Sequence, residues 1–402
     1  MKRLLVPCLA VLALAACSPS ETPETAHGSS AAPDPGIPTD RDGVMTTQWS
    51  VTRAEGMDAI LLIGAAGGDV MQADIYPDEI AWVRENVSAE GLAAIDAIDQ
   101  RLRQEIGVLT GPSMAYFFSA NDVGSLEDVI ASARDPRGRL MPALMTSPHW
   151  DEQQFASAER LMPTLLTAFE ALQAAGFSDW YEDNFAAGVQ AGIATNLAAV
   201  SPYDLISEQA NLLGRELDPQ IEILIANFSQ PYGIRIMGQR FVAYQGWSPA
   251  IQLRVAAHEI FHPPFDPNDA DLFAQLANLE SDPWMISIVE DHDPQYGYRT
   301  FSGVINEGST QALDQIVADR LGFAQDPGER WRNSDGGMHM FAAAAYHAMI
   351  EDGFAETGGV YSDWLKSALE RGLLSPEETR RRAAEIVGQE TVDQWGPHRS
   401  VE

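Results

Sequence analysis

Cysteine is almost missing from this chain: its 402 residues include two, Cys8 and Cys17, both close to the N-terminus. A disulfide framework, a Cys-ligated zinc, an iron–sulfur cluster and a cysteine nucleophile are thereby excluded from the remainder. Basic side chains are also scarce, with 25 Lys and Arg against 58 Asp and Glu, and the formal net charge is -33. So acidic a surface repels phosphate backbones and anionic lipid, which removes nucleic acid from the partners. Beyond the first residues no stretch reaches the roughly 18 apolar residues that a membrane-spanning helix needs. What is there is the 45% apolar and 21% charged balance of a folded protein. Its length suits one large domain or two ordinary ones. Its chemistry must rest on His, carboxylates and hydroxyls, with or without a metal.

Lys2 and Arg3 precede an apolar run from Leu4 to Ala16, too short to span a bilayer but the right size for a signal-peptide core. The run closes on Leu14-Ala15-Ala16-Cys17, which resembles the lipobox of bacterial lipoproteins. That resemblance implies a signal peptide over residues 1–16 and a lipidated Cys17 as the mature N-terminus. Ser18 after it implies the periplasmic face of the outer membrane, within the cell envelope. The chain would then meet the membrane only through its lipid. From Cys17 to residue 44 the sequence is rich in Pro, Ser, Thr, Glu, Ala and Gly without apolar periodicity, and reads as a disordered tether.

The folded part divides by pattern into a helical region, 45–215, and a second region, 216–402. Ala59–Ala66 is apolar and runs into Gly67-Gly68, so it reads as core followed by a turn. Apolar spacing predicts helices over 153–175, 184–199 and 204–217. Ile221, Ile223 and Ile225 alternate with Glu222 and Leu224, Ile234 and Ile236 flank Arg235, and Arg240–Gln245 is rich in Phe, Val and Tyr. These predict a small antiparallel sheet, with helices again to the C-terminus. The fold class expected is α+β, predominantly helical.

Ser248-Pro249 is a helix start, since Ser caps free amides and Pro suits the first helical position. The helix it opens contains His258-Glu259-Ile260-Phe261-His262 and is stopped by Pro263-Pro264. Residues four apart share a helix face, so His258 and His262 can address one ion, and Glu259 lies about 100° round, beside it. This His-Glu-x-x-His pattern is a zinc signature, with two neutral imidazoles as ligands and a carboxylate as general base. Phe265 and Asn268 stand where a metzincin would carry Gly and a third His.

Downstream, Asn306-Glu307-Gly308 opens a segment, expected to be amphipathic, that runs to Leu321 and ends at Gly322. Together the two motifs resemble the gluzincin metallopeptidases, which carry Asn-Glu-Ala or Asn-Glu-Gly at the third ligand. The resemblance implies a zincin-like catalytic region over 216–402, one Zn2+ held by His258, His262 and Glu307, and Gln311 as a supporting residue. It covers two short motifs, and the 44 residues between His262 and Glu307 exceed the family spacing. Glu280 stands nearer that spacing without the Asn-Glu-Gly context. The intervening stretch, 263–306, reads as a flap, and His292 within it as a solvated turn.

The activity so implied is hydrolysis of peptide bonds in peptides or proteins, with a zinc-activated water and Glu259 as base. A transition-state donor is sought among Tyr346, His347, His339, Tyr298 and Tyr296, with Tyr346 taken first. Gly246-Trp247-Ser248-Pro249-Ala250 lacks the last glycine of a serine-hydrolase elbow. A second reading makes the chain a non-catalytic envelope lipoprotein that uses the same scaffold to bind a partner.

Overall fold

The computed structural model describes residues 16–17, 45–147, 150–293 and 296–396. The signal peptide and tether expected at the N-terminus, and His149 and His398, lie outside the described residues, apart from the backbone of Ala16 and Cys17. The fold is α+β and mainly helical. By its contacts the chain forms two units. One holds Ser50–Leu197 and Glu222–Trp247; the other holds Ala198–Ile221 and the chain from Ser248 onward. The strands around 222–247, grouped by sequence pattern with the C-terminal region, thus belong with the N-terminal helices.

In the first unit, Glu55–Ala66 is the apolar core expected there, a helix buried along nearly its whole length and capped by Gly67. At Gly64 a Cβ would stand 2.7 Å from Gly111 Cα, so this helix and Thr110–Phe118 touch backbone to backbone. The helix over 152–174 is capped by Asp151, whose carboxylate accepts from Gln154 N at 2.8 Å. Its Leu165, Phe169 and Leu172 are buried, whereas Leu161 is only half-buried.

The sheet is mixed rather than antiparallel. Gly233–Ile236 pairs antiparallel with Arg240–Tyr244, which in turn runs parallel to Gln220–Ala226. The sheet order sets Gln48–Arg53 beyond Gln220–Ala226, and the two-residue strand Ala16–Cys17 beside Gly233–Ile236 at the other edge. Parallel neighbours need a crossover connection, and residues 227–239 supply one. Its start is fixed by side chains. Buried Asp58 accepts from Asn227 N at 2.7 Å, Phe228 N at 3.0 Å and Tyr181 Oη at 2.8 Å. Burial pushes the Asp58 carboxyl up to about 7 against those three hydrogen bonds.

In the second unit the helix expected over 204–217 is Leu205–Leu213, capped by Asp204 and ended by Gly214 at φ 64°. Phe301–Leu321 starts where Thr300 Oγ1 accepts from Gly303 N at 3.1 Å and stops at Gly322, φ 76°. It is not amphipathic. Helices Leu205–Leu213, Pro249–Phe261, Pro283–Asp291 and Met340–Glu351 pack round it, and they bury polar as well as apolar positions, including Ser309, Thr310, Gln311, Asp314 and Gln315. A Cβ at Gly308 would lie 3.0 Å from Phe341 Cδ1 and 3.1 Å from Ala342 N, which sets how closely Met340–Glu351 approaches.

Candidate metal centre

Ser248 begins the His-Glu helix as expected, accepting from Ile251 N at 3.4 Å, with Pro249 at its first position. The helix runs over Pro249–Phe261 and His262 is the residue that ends it. The second unit therefore brings two sequence-distant elements together: this helix and the buried Phe301–Leu321. His258, His262 and Glu307 each offer a ligand atom, all within 4.8 Å of one another. His258 Nε2 lies 2.9 Å from His262 Nε2, and the Glu307 carboxylate oxygens lie 3.5 Å from each.

The outer nitrogens decide what this arrangement means. His258 Nδ1 is 2.7 Å from the Asp314 carboxylate, and His262 Nδ1 is 3.0 Å from Asn306 Oδ1. Both partners accept hydrogen bonds, so each Nδ1 carries the proton and each neutral ring aims the Nε2 lone pair inward. With both rings neutral, two lone pairs and a carboxylate converge in a buried space, an arrangement that a positive charge makes favourable, whether a proton on one Nε2 or a metal ion. Zinc bonds of about 2.0–2.2 Å in tetrahedral geometry place donors roughly 3.3 Å apart, and the three separations bracket that figure. His262 leaves 12% of its side chain exposed, against 3% for His258 and 2% for Glu307, so His262 is the most exposed member of the cluster. The donor set fits zinc.

A second layer holds these groups. Arg330 Nη2 donates to the same Asp314 oxygen at 3.0 Å and Nη1 to the other oxygen, while Nη1 also donates to Gln315 Oε1 at 3.0 Å. Thr310 Oγ1 lies 3.3 Å from His262 Nδ1. Gln311 Nε2 donates to Glu307 Oε1 at 2.8 Å, and Gln311 Oε1 accepts from Trp331 Nε1 at 2.8 Å. Gln311 thus contacts Glu307, the residue it was expected to support. Asp314, Asn306, Thr310 and Arg330 were not assigned from sequence. A signal for one existed: Glu307, Gln311 and Asp314 are spaced four and seven, one face of a helix.

Not every candidate comes to this place. Glu280 is exposed at the end of its own helix, Ala270–Glu280, outside the cluster. His292 is buried rather than solvated, with Nδ1 donating to Ile288 O at 2.8 Å. Tyr346 is turned to other work: its hydroxyl donates to Asp319 at 2.7 Å and its ring packs edge-on to Trp331 at 5.5 Å. Asp319 is twelve residues beyond Glu307 on one helix, about 18 Å along its axis, so Tyr346 is not the donor at this centre. His347 belongs to an ion-pair network in which Arg382 and Arg381 already neutralise Glu351 and Glu385. His339 is the candidate brought near: its ring lies 3.1 Å from Gln311 Nε2 and 2.7 Å from Asp335, with Tyr298 edge-on at 5.8 Å.

No family model, curated protein or solved structure matches this chain.

Burial works to lower the His258 pKa, but Glu307, Asp314 and Glu259 outweigh it and raise it to about 9. In the metal-free protein this ring therefore holds a second proton at neutral pH, and a metal bound at Nε2 would have to displace it. Calorimetric titration with zinc at pH 7 in buffers of different ionisation enthalpy should show release of about one proton per metal bound. The folded value exceeds the ordinary 6.5. The associated stability is therefore complete below about pH 6.5 and lost as pH rises to about 9, on the order of 3 kcal/mol. Unfolding of the metal-free protein followed from pH 6 to pH 9 would show that loss, and a flat profile would remove His258 as its source.

Proposed function

We propose that this protein is a zinc-dependent hydrolase of peptide bonds, of the gluzincin kind. The observation that supports it is the convergence of His258 Nε2, His262 Nε2 and the Glu307 carboxylate, with both outer imidazole nitrogens committed to acceptors. Zinc held there would polarise a carbonyl and bring the pKa of a bound water to about 7. The chain's own residues do the rest. Asp314 fixes the ring and tautomer of His258, Asn306 does so for His262, and Gln311 restrains Glu307. Glu259, fully buried beside His258, accepts the proton of the attacking water and passes it to the leaving amine.

The substrates in this reading are peptides or unfolded proteins met in the cell envelope, with the chain held there by lipid on Cys17. Among the described residues no helix is long and apolar enough to cross a membrane. The test is the metal content of the purified full chain. A single zinc per chain is expected, lost in Glu307→Ala and kept in Glu280→Ala. An absence of zinc in the native protein, even after zinc is supplied, would overturn the reading.

A further inference from the structure

In the first unit, side chains from one stretch of sequence hold the start of the crossover that joins Gln220–Ala226 to Arg240–Tyr244. Residues 227–232 lie in neither strand nor helix, so their backbone groups must find partners elsewhere. Residues 58–76 supply them. Asp58 takes the N–H groups of Asn227 and Phe228 on one carboxylate oxygen and Tyr181 Oη on the other. Tyr76 Oη donates to Asn227 O and accepts from Gln230 N, both at 2.9 Å. Gln72 Nε2 donates to Phe228 O at 2.9 Å and to Gln230 O at 3.2 Å. Asp69 closes the far end, where Tyr232 Oη lies 3.0 Å from each of its oxygens.

Asp58 is fully buried, and its three donors are neutral. The titratable groups that face it are Tyr181 from the helix Phe177–Tyr181, Tyr76 ahead of Pro77–Asn86, and Glu55 one turn back on its own helix, whose charge repels it. Arg53 acts on Tyr181, and among the described residues no cation pairs with Asp58. As a carboxylate it keeps all three hydrogen bonds but leaves an uncompensated charge out of water. As an acid it loses none of them. One oxygen still accepts both amides, while the other, now an O–H, donates to Tyr181 Oη. A proton therefore removes the charge and leaves the anchor whole. We propose that Asp58 is a proton-operated latch on this crossover, tight as the acid and loosened as the carboxylate.

In the closed latch burial lifts the carboxyl from 3.8 to about 7, and opening to water returns it to the ordinary value. Closing therefore takes up a proton between those limits, and the latch strengthens as pH falls from about 7 towards 3.8. The test is hydrogen exchange at the Asn227 and Phe228 amides of the full chain, corrected for the intrinsic rate. Protection should rise about tenfold for each pH unit from 6.5 down to 5. Asp58→Asn copies the acid, with its Oδ1 for the two amides and its Nδ2 donating to Tyr181, so protection should be high and level over that range. Tyr181→Phe takes a donor from the carboxylate, so the rise should begin at a higher pH. The proposal is overturned if native protection ignores pH, or if Asp58→Asn rises with acid as the native chain does. Should Asp58→Asn fail to fold, Tyr181→Phe decides: a rise beginning at the native pH or below it would overturn the latch.

Discussion

Glu259→Gln should retain zinc and lose hydrolysis, with kcat/KM falling about 10²–10⁴-fold. The donors that converge on one point are His258, His262 and Glu307, and Glu259 is not among them, so amidation leaves the metal's contacts alone. The amide has the carboxylate's shape but cannot accept a proton from water at neutral pH. It also removes a negative charge from a fully buried position, so the variant should fold at least as well as the native chain. Metal analysis and peptide hydrolysis measured on one preparation decide the matter. Undiminished hydrolysis would take the base role from Glu259. Loss of zinc together with activity would make it part of the metal's support instead.

Asp314→Ala is expected to have the second large effect, and it should appear in two separable quantities. The native carboxylate accepts from His258 on one side and from Arg330 on the other, and both it and His258 are almost entirely buried. Without it the His258 ring loses the bond that fixes its tautomer, and zinc affinity should fall about 10–100-fold in competition with a chelator. The Arg330 guanidinium also loses its buried counter-charge. Breaking such a pair from one side should destabilise the metal-free protein by about 3–5 kcal/mol in denaturant unfolding. Adding Arg330→Met should restore much of that stability while leaving zinc affinity low. Recovery of both quantities in the double variant would show that Asp314 acts only by neutralising Arg330.

Much of the candidate centre was legible because its two histidines are spaced by the helix itself. His258 and His262 declare themselves four apart behind Ser248-Pro249, and Asn306-Glu307 opens a segment whose end at Gly322 was also visible. Less legible was anything depending on what surrounds a helix. Phe301–Leu321 has apolar positions enough to suggest one buried face, yet four helices cover it and its polar residues become the frame of the site. Arg330 and Trp331 come from a separate short helix, Pro327–Asn333, and no spacing rule connects them to His258 or Gln311. Tyr346 shows the opposite error, a polar aromatic on a helix that does pack against the one carrying Glu307, but whose hydroxyl meets Asp319 several turns from Glu307. In the sheet, alternation marked the strands but not their direction, since residues 227–239 form a crossover that no local pattern reveals.

The contact at Gly308 bears on how this centre can change during descent. The residue after Glu307 has no side chain to offer a donor atom, and a Cβ there would meet the Phe341–Ala342 edge of a neighbouring helix. Its identity therefore records a distance between helices. Where Met340–Glu351 drifted outward by a few tenths of an ångström, alanine would become acceptable at 308 with every donor in place, and where it did not, alanine would be selected against on packing alone.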